Sequence, residues 1–220
     1  MRYRDVVLTG LPRSGTTLAC VVLNQVRNVV ALPEPMDPAS FASFHSEVEL
    51  ATTRLQQFFD RTRRMIKSER QAPARLVNGV LTSNLFERPR HDGQPRRHVG
   101  QLDVIRIDKE LDDNFTLAVK YPLVFLALLP QLVTKFPVVA LVRHPLSLLA
   151  SWNTVDTGIR HGRVAMAEMF DAELSRQLSA IDDVIDRQLN LIVWCFKRLS
   201  FIPRSHIIRY EDFIASNGGR

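Results

Sequence analysis

The sequence of 220 residues predicts a three-layer α/β fold, in which a central, mainly parallel sheet is flanked by helices. Short β-branched apolar runs alternate along the chain with segments of helical periodicity, as in folds built from parallel strands and crossover helices. Residues 136–142 (FPVVALV) form a continuous apolar run, which is typical of a central strand buried on both faces. The length suits one core, so we expect a single domain over residues 1–220.

The individual elements follow from local patterns along the chain. We expect strands at residues 5–9, 29–32, 101–108, 115–119, 136–142 and 206–209, with an acidic turn joining the third to the fourth. Apolar side chains at helical spacing predict helices at residues 16–26, 41–70 (one long or two shorter), 123–135 and 181–199, and one more after Arg143. Residues 88–99, rich in proline and charge, and residues 154–163, which contain glycines, are predicted to be loops.

The first strand runs into a loop of the kind that binds phosphate. Gly10 and Gly15 enclose four residues, as in a P-loop, and a helix follows directly. Thr16 stands where a nucleoside triphosphatase has its lysine, and the cation lies instead within the loop, at Arg13. A cation there serves a group other than the β- and γ-phosphates that a kinase lysine reaches. An accidental glycine-rich turn is the alternative, which the flanking strand and helix disfavour. The backbone N–H groups expected to hold a phosphate are those of Ser14, Gly15, Thr16 and Thr17.

A second phosphate-binding pattern follows the apolar run 136–142. Arg143 ends that run, and the next residues, HPLSLLASW, predict a helix with Pro145 in its first turn. Ser151 comes eight residues after Arg143, slightly more than two helical turns, so both side chains can face one side of the same crevice. Arginine suits a phosphate because its planar fork can bind two oxygens at once. The alternative is that Arg143 is a surface residue and Ser151 a solvated helix position. The presence of the first phosphate-binding loop in the same chain disfavours this alternative.

Together these motifs resemble the sulfotransferases that use 3′-phosphoadenosine 5′-phosphosulfate (PAPS). The loop GLPRSGTT resembles their 5′-phosphosulfate loop, closest to the bacterial and tyrosylprotein-type members, and a Tyr-Glu-Asp segment after the last strand is a third match. The matches occur in the family's order over residues 9–213. The resemblance implies a P-loop-like nucleotide-binding fold, no metal, and adenosine 3′,5′-bisphosphate (PAP) as product. It implies that Arg13 and its loop bind the 5′ end, that Arg143 and Ser151 bind the 3′-phosphate, and that Tyr210 lies near the adenine. For Tyr210, simple packing at a strand end is the alternative.

The resemblance also suggests which residues carry the chemistry. It places Lys120 near the transferring sulfonate and Arg13 beside the leaving group, while Pro122 replaces the histidine that is the base in cytosolic members. Glu34 follows the second strand, where tyrosylprotein-type and several bacterial members have a glutamate base. A base must reach the acceptor hydroxyl, and a raised pKa would suit it. The alternatives are that Glu34 is an exposed turn residue, or that His45 or Asp37, both weaker candidates, is the base.

Composition limits the partners and the compartment. The net charge of +6 and the pI near 9.8 favour an anionic partner such as PAPS, and no nucleic-acid module signature is present. The basic loop 88–99 either clamps an anionic acceptor or is simply solvated. Cys20 and Cys195 fall in apolar helices and suit a reducing compartment. Because the N-terminus enters the first strand at once and no apolar run could span a bilayer, we expect a cytoplasmic protein with no membrane span.

The function expected from the sequence is in-line transfer of a sulfuryl group from PAPS to the hydroxyl of a carbohydrate, glycolipid or small metabolite. The alternatives are a catalytically impaired nucleotide-binding relative and a P-loop kinase, which Thr16 disfavours. Family members have a further basic, glycine-containing segment beyond the point where this sequence ends, so we expect a truncated form or another chain in that role. The sequence leaves the acceptor and the oligomeric state open.

Overall fold

The structure is a computed structural model that describes residues 4–37, 48–88 and 92–216, except for the side chains of residues 48 and 49. Its strands are β1 (Asp5–Gly10), β2 (Val29–Pro33), β3 (Gln71–Leu76), β4 (Gln101–Arg106), β5 (Thr116–Lys120), β6 (Val138–Val142) and β7 (Ile207–Arg209). Its helices are α1 (Thr16–Leu23), α2 (Val48–Glu69), α3 (Pro122–Ala127), α4 (Leu129–Leu132), α5 (Pro145–Trp152), α6 (Ala165–Glu168), α7 (Ala172–Ser179), α8 (Val184–Leu199) and α9 (Tyr210–Ala215).

The main sheet of the described chain has five strands, all parallel, in the order β2-β5-β1-β6-β7. The strand β1 lies in the centre and pairs with β5 on one side and β6 on the other. Because all five strands are parallel, the residues that follow β1, β2, β5 and β6 meet at one edge of the sheet. The predicted α/β fold with a parallel central sheet is therefore confirmed.

Helices cover both faces of this sheet, which makes the three layers. On one face, alternate strand residues join the large apolar core together with α2, α3, α5 and α8; these strand residues are Val7, Val30, Leu32, Leu117, Val119, Val138 and Ala140. On the other face, the intervening residues pack against Ala19 and Cys20 of α1; these are Leu8, Ala31, Ala118 and Leu141. The two-residue period of a strand explains this division. Among the described residues, no helix has the length and apolarity needed to cross a bilayer.

The structure corrects the prediction in the middle of the chain. Residues 71–76 form β3, which the sequence analysis missed, and β3 pairs antiparallel with β4 outside the main sheet. The predicted strand at 101–108 ends at Arg106 and pairs with β3, so its sequence neighbour β5 is not its partner in space. Pro73 weakens the strand signal of β3, but a proline is tolerated in a two-stranded edge sheet. Ala72, Ala74 and Leu76 are fully buried, which explains why the segment packs as a strand.

Three predicted helices have different limits. The first ends at Leu23, because the Asn24 side chain bonds Cys20 O (2.9 Å) and both backbone groups of Ala31, fixing the chain as it turns into β2. The helix predicted at 123–135 is divided at Leu128 into α3 and α4, since Pro130 cannot continue the hydrogen bonding of α3. The helix predicted at 41–70 is α2, and residues 41–47 lie outside the described residues.

Candidate active site

The loop between β1 and α1 is held firmly against β6. Gly10 has φ +142°, and a Cβ there would lie 2.2 Å from Leu141 O, so only glycine allows this approach. The Ser14 hydroxyl is fully buried and lies 2.7 Å from Leu11 O and 2.9 Å from Leu141 O. The Trp152 indole on α5 donates to Pro12 O (2.9 Å). The loop is thus fixed by packing from α5 and β6.

The helix start supplies the anion-binding groups of this loop. Gly15 is the N-cap of α1 with φ +89°, and Gly15, Thr16 and Thr17 line a cavity. The first backbone N–H groups of a helix have no partner within it, and they carry the positive end of the helix dipole. The Ser14 N–H was expected to join them, but it donates to Leu11 O (3.1 Å) within the loop. Ser14 therefore shapes the loop, while the groups open to an anion are those from Gly15 onward.

Arg13 has a strained backbone and an anchored side chain. Its φ of +68° is unusual for a residue with a Cβ. Its guanidinium donates to Ser151 Oγ (3.3 Å) and Asn84 Oδ1 (3.0 Å), and its Cζ lies 4.6 Å from the centre of the Phe86 ring. Burial, with the charges of two further arginines, lowers the pKa of Arg13 to about 10, so it remains a cation at neutral pH. The cation predicted at this position does lie at the cavity.

The second and third motifs meet the loop at Tyr210. The Arg143 guanidinium donates to Arg13 O (3.2 Å) and stands over the Tyr210 ring, 4.7 Å from its centre. The edge of the same ring packs on Gly15, where a Cβ would lie only 2.4 Å from Tyr210 Cδ2. Glu211 accepts a hydrogen bond from the His144 N–H (2.9 Å), which joins the segment after β7 to the segment after β6. The residues Arg13, Arg143, Ser151 and Tyr210 thus form one contact network.

Glu34 and Lys120 form an ion pair at the ends of β2 and β5. The Lys120 Nζ is almost completely buried and lies 2.5 Å from Glu34 Oε1. It also donates to Thr17 Oγ1 in the first turn of α1 (3.1 Å). The Arg75 Nε is 3.5 Å from Glu34 Oε2. A single ammonium therefore connects the phosphate-binding loop to the carboxylate, and a second cation stands behind that carboxylate.

The titration of Glu34 differs from the expectation for a base. Burial would raise the pKa of this carboxyl, but the charge and hydrogen bond of Lys120, followed by the charges of Arg75 and His98, outweigh it and lower the pKa. Glu34 is thus ionised at neutral pH, and the raised pKa that would suit a base is not found. The side chain is 21% exposed and lines the cavity, so Glu34 is not an exposed turn residue.

Several residues of the cavity were not predicted as site residues. Arg75 lies on the missed strand β3, and Asn84 and Phe86 lie in the segment after it. His98 belongs to the basic loop expected at 88–99, and its ring meets Phe86 edge to face at 5.2 Å. Burial lowers the pKa of His98 below its ordinary value, while the Glu34 charge acts in the opposite direction. No pattern in the sequence marks these positions, because their approach depends on the pairing of β3 with β4.

The other candidate residues divide into two groups. Asp37 is exposed and does not line the cavity, whereas His45 lies outside the described residues. Residues 89–91 of the basic loop also lie outside the described residues, and Arg96 in its described part donates to Thr154 Oγ1 (2.8 Å).

Across residues 4–37, 48–88 and 92–216, no three histidine, cysteine, aspartate or glutamate side chains are grouped as metal ligands.

Comparison with known proteins agrees with this geometry at the level of the family. The family model described as the sulfotransferase family matches residues 5–219, which is nearly the whole chain. A comparison with curated proteins gives no match. The parallel sheet, the helix-start loop and the cations around it belong to the segment that the family model covers. The chain is therefore a member of the sulfotransferase family.

Proposed function

We propose that this protein transfers a sulfuryl group from PAPS to an acceptor hydroxyl, with in-line geometry. The observation that carries the proposal is the position of Lys120, whose ammonium contacts both Thr17 in the helix-start loop and the Glu34 carboxylate. A group held at the loop would thus lie next to both a cation and a proton acceptor. Such an arrangement matches what transfer to a hydroxyl needs.

The residues fit the chemical groups of PAPS. The 5′-phosphosulfate carries one negative charge on its phosphate and one on its sulfonate, and the helix start at Gly15 offers N–H donors, with Arg13 and Lys120 as nearby cations. Arg143 also lines the cavity and would bind the 3′-phosphate through its planar fork, with Ser151 as a second donor. The Tyr210 ring packs on Gly15 of the loop and lines the cavity, and we assign it to the adenine. When bound, PAPS supplies the sulfuryl group and an excellent leaving group.

Each catalytic residue then has one task. Arg13 and Lys120 stabilise the negative charge that develops on the bridging oxygen of the leaving group. Glu34 accepts the proton of the acceptor hydroxyl; it is already ionised, as a proton acceptor must be. Because Lys120 and Arg75 lower its pKa, Glu34 is a weaker base than an isolated buried glutamate would be. No metal is included in this proposal.

One observation favours a second candidate, nucleotide binding without turnover. The Glu34 carboxylate is engaged by Lys120 at 2.5 Å on one oxygen and faces Arg75 at 3.5 Å on the other, and a carboxylate that stays between these two cations is a poor proton acceptor. Incubation with ³⁵S-labelled PAPS and a panel of sugars, glycolipids and small alcohols separates the two candidates. Labelled product supports transfer; PAP binding with no labelled product for any acceptor would support the second candidate.

The domain organisation and the compartment of the protein are also proposed. We propose that residues 1–220 form one domain, and that the protein works in the cytoplasm without a nucleic-acid partner. The thiols of Cys20 and Cys195 are buried and free, as a reducing compartment allows. Burial raises the pKa of Cys20 to about 12, so this thiol is unreactive.

A further inference from the structure

The lining of the cavity is of two kinds. The cavity encloses about 760 Å³ and is charged where the strands end, at Arg13, Glu34, Lys120 and Arg143. Another part of the lining consists of four apolar residues that we call the apolar wall: Leu123, Ile159, Val164 and Met166. None of these side chains can donate or accept a strong hydrogen bond. A ligand that fills the cavity therefore meets both ions and hydrocarbon.

The apolar wall adjoins the reacting end of the site. Leu123 lies in the first turn of α3, three residues after Lys120 at the end of β5. The helix α6, which carries Met166, packs on α3, and Ile159 and Val164 precede α6 in the chain. A molecule whose hydroxyl approaches the Glu34–Lys120 pair from this side must therefore lie along the wall.

Several polar groups of the lining are already engaged. Arg163 donates to Glu168 Oε1 (3.1 Å), and Asn84 accepts from Arg13 (3.0 Å). Thr157 and Arg75 also line the cavity, but Thr157 Oγ1 and Arg75 Nε are buried atoms without a hydrogen-bond partner among the described residues. A sugar brings several hydroxyls, and each one that is buried without a partner costs about 1–3 kcal/mol. An acceptor with few polar groups avoids most of that cost.

We propose that the acceptor is an alcohol with an apolar body, which packs against the apolar wall. This inference rests on the proposed sulfuryl transfer. Among the acceptor classes that the sequence leaves open, it selects molecules with an apolar body over a bare carbohydrate. Mostly apolar lining with a few placed polar groups is the usual composition of a site for a small organic molecule.

A matched pair of probes tests the inference. The protein is saturated with PAP and titrated in a calorimeter with methyl β-D-glucopyranoside or octyl β-D-glucopyranoside, below the micelle concentration. The two probes carry the same hydroxyls and differ only in the apolar chain. We expect the octyl compound to bind at least about tenfold more tightly, because each buried methylene adds favourable transfer energy.

Two variants test whether the octyl chain binds at the apolar wall. Met166→Glu places a charge on the half-buried edge of the wall and should remove the preference for the octyl chain. Val193→Glu is the control, since Val193 is 50% exposed on α8 and does not line the cavity. The comparison of the two glucosides on the wild-type protein remains a valid test even if a variant folds poorly.

The outcomes separate this inference from the proposed function. Failure of the wild-type protein to bind PAP would contradict the proposed function, and the acceptor assignment with it. PAP binding with equal affinity for both glucosides would overturn the acceptor assignment alone. A preference for the octyl chain that survives Met166→Glu would show that the chain binds elsewhere, which also overturns it.

Discussion

The Lys120 ammonium lies 2.5 Å from Glu34 Oε1 and 3.1 Å from Thr17 Oγ1, so one buried cation touches both the proposed base and the phosphate-binding helix. This relationship exists because β2 pairs with β5, which sets Pro33 opposite Lys120 and aligns the ends of the two strands. Glu34 follows directly, with a φ of +43° that turns its side chain away from the strand direction. Its own N–H donates to Lys120 O (2.7 Å), which holds that turn.

Glu34→Gln tests the role of the carboxylate. Glutamine keeps the size and polarity of the side chain but cannot accept the proton of the acceptor. We expect PAP binding to be retained and turnover of labelled PAPS to fall by about 10²- to 10⁴-fold. Asp37→Asn and His98→Gln are the comparisons, since Asp37 is the described alternative to Glu34 and His98 is a histidine that lines the cavity. A large loss in either of them, with Glu34→Gln nearly active, would show that the base is misassigned.

The stability of the protein should depend on pH through the same ion pair. The folded-state pKa of Glu34 is lowered, so its ionised form stabilises the fold at neutral pH. That contribution is complete above the unfolded-state pKa of about 4.3 and is lost as the pH falls through the lower folded-state value. Glu34→Gln should therefore destabilise most at neutral pH, and the difference from wild type should shrink below about pH 4. Urea unfolding of both proteins at several pH values measures the difference in the free energy of unfolding. A difference that does not change with pH would show that the ion pair does not contribute to stability.

Gly15→Ala tests the contact between the loop and Tyr210. Alanine at this position meets both an unfavourable φ of +89° and the Tyr210 ring, whose Cδ2 would lie 2.4 Å from the new Cβ. Gly79→Ala is a matched control, because Gly79 has φ +74° but no atom within 4 Å of its Cβ position. We expect the control to cost about 1 kcal/mol and Gly15→Ala about 2 kcal/mol or more, with weaker PAP binding. Equal costs in urea unfolding would mean that the ring does not constrain the loop.

Nucleotide binding should not need a divalent metal. A nucleoside triphosphate site depends on Mg²⁺ to bridge its phosphates, whereas the cations proposed here are Arg13, Lys120 and Arg143. Titration of PAP before and after treatment with EDTA should give the same affinity. A requirement for Mg²⁺ would favour the P-loop kinase alternative.

The sequence predicted the parts of the site that depend on a strand end followed by a helix. Arg13, Gly15 and Arg143 each follow a buried parallel strand, and parallel strands bring such positions to one edge whatever the rest of the chain does. Arg75 and His98 could not be predicted in this way, because they reach the cavity through the separate sheet of β3 and β4. The lowered pKa of Glu34 could not be predicted from the sequence either, because it depends on the distances from the carboxylate to Lys120 and Arg75.

The hydrogen bonds of Ser14 and Ser151 could not be predicted from the motifs either. Both belong to the predicted phosphate-binding motifs, yet Ser14 donates its N–H within the loop and Ser151 accepts from Arg13. A motif gives the residues that meet at a site, but it does not give the hydrogen bonds that each atom makes there. The proposed role of Ser151 at the 3′-phosphate requires its hydroxyl to exchange Arg13 for the ligand.

Calorimetry with PAP and 5′-AMP tests whether the cavity binds a nucleotide with a 3′-phosphate. The two ligands share the adenosine 5′-phosphate and differ in the 3′-phosphate assigned to Arg143. We predict a clear preference for PAP, and Arg143→Ala should weaken PAP binding by about ten- to a hundredfold, the usual effect of losing a charged partner. Arg204→Ala, an exposed arginine outside the cavity, should leave the affinity unchanged. Equal affinity of the wild-type protein for PAP and 5′-AMP would contradict the account.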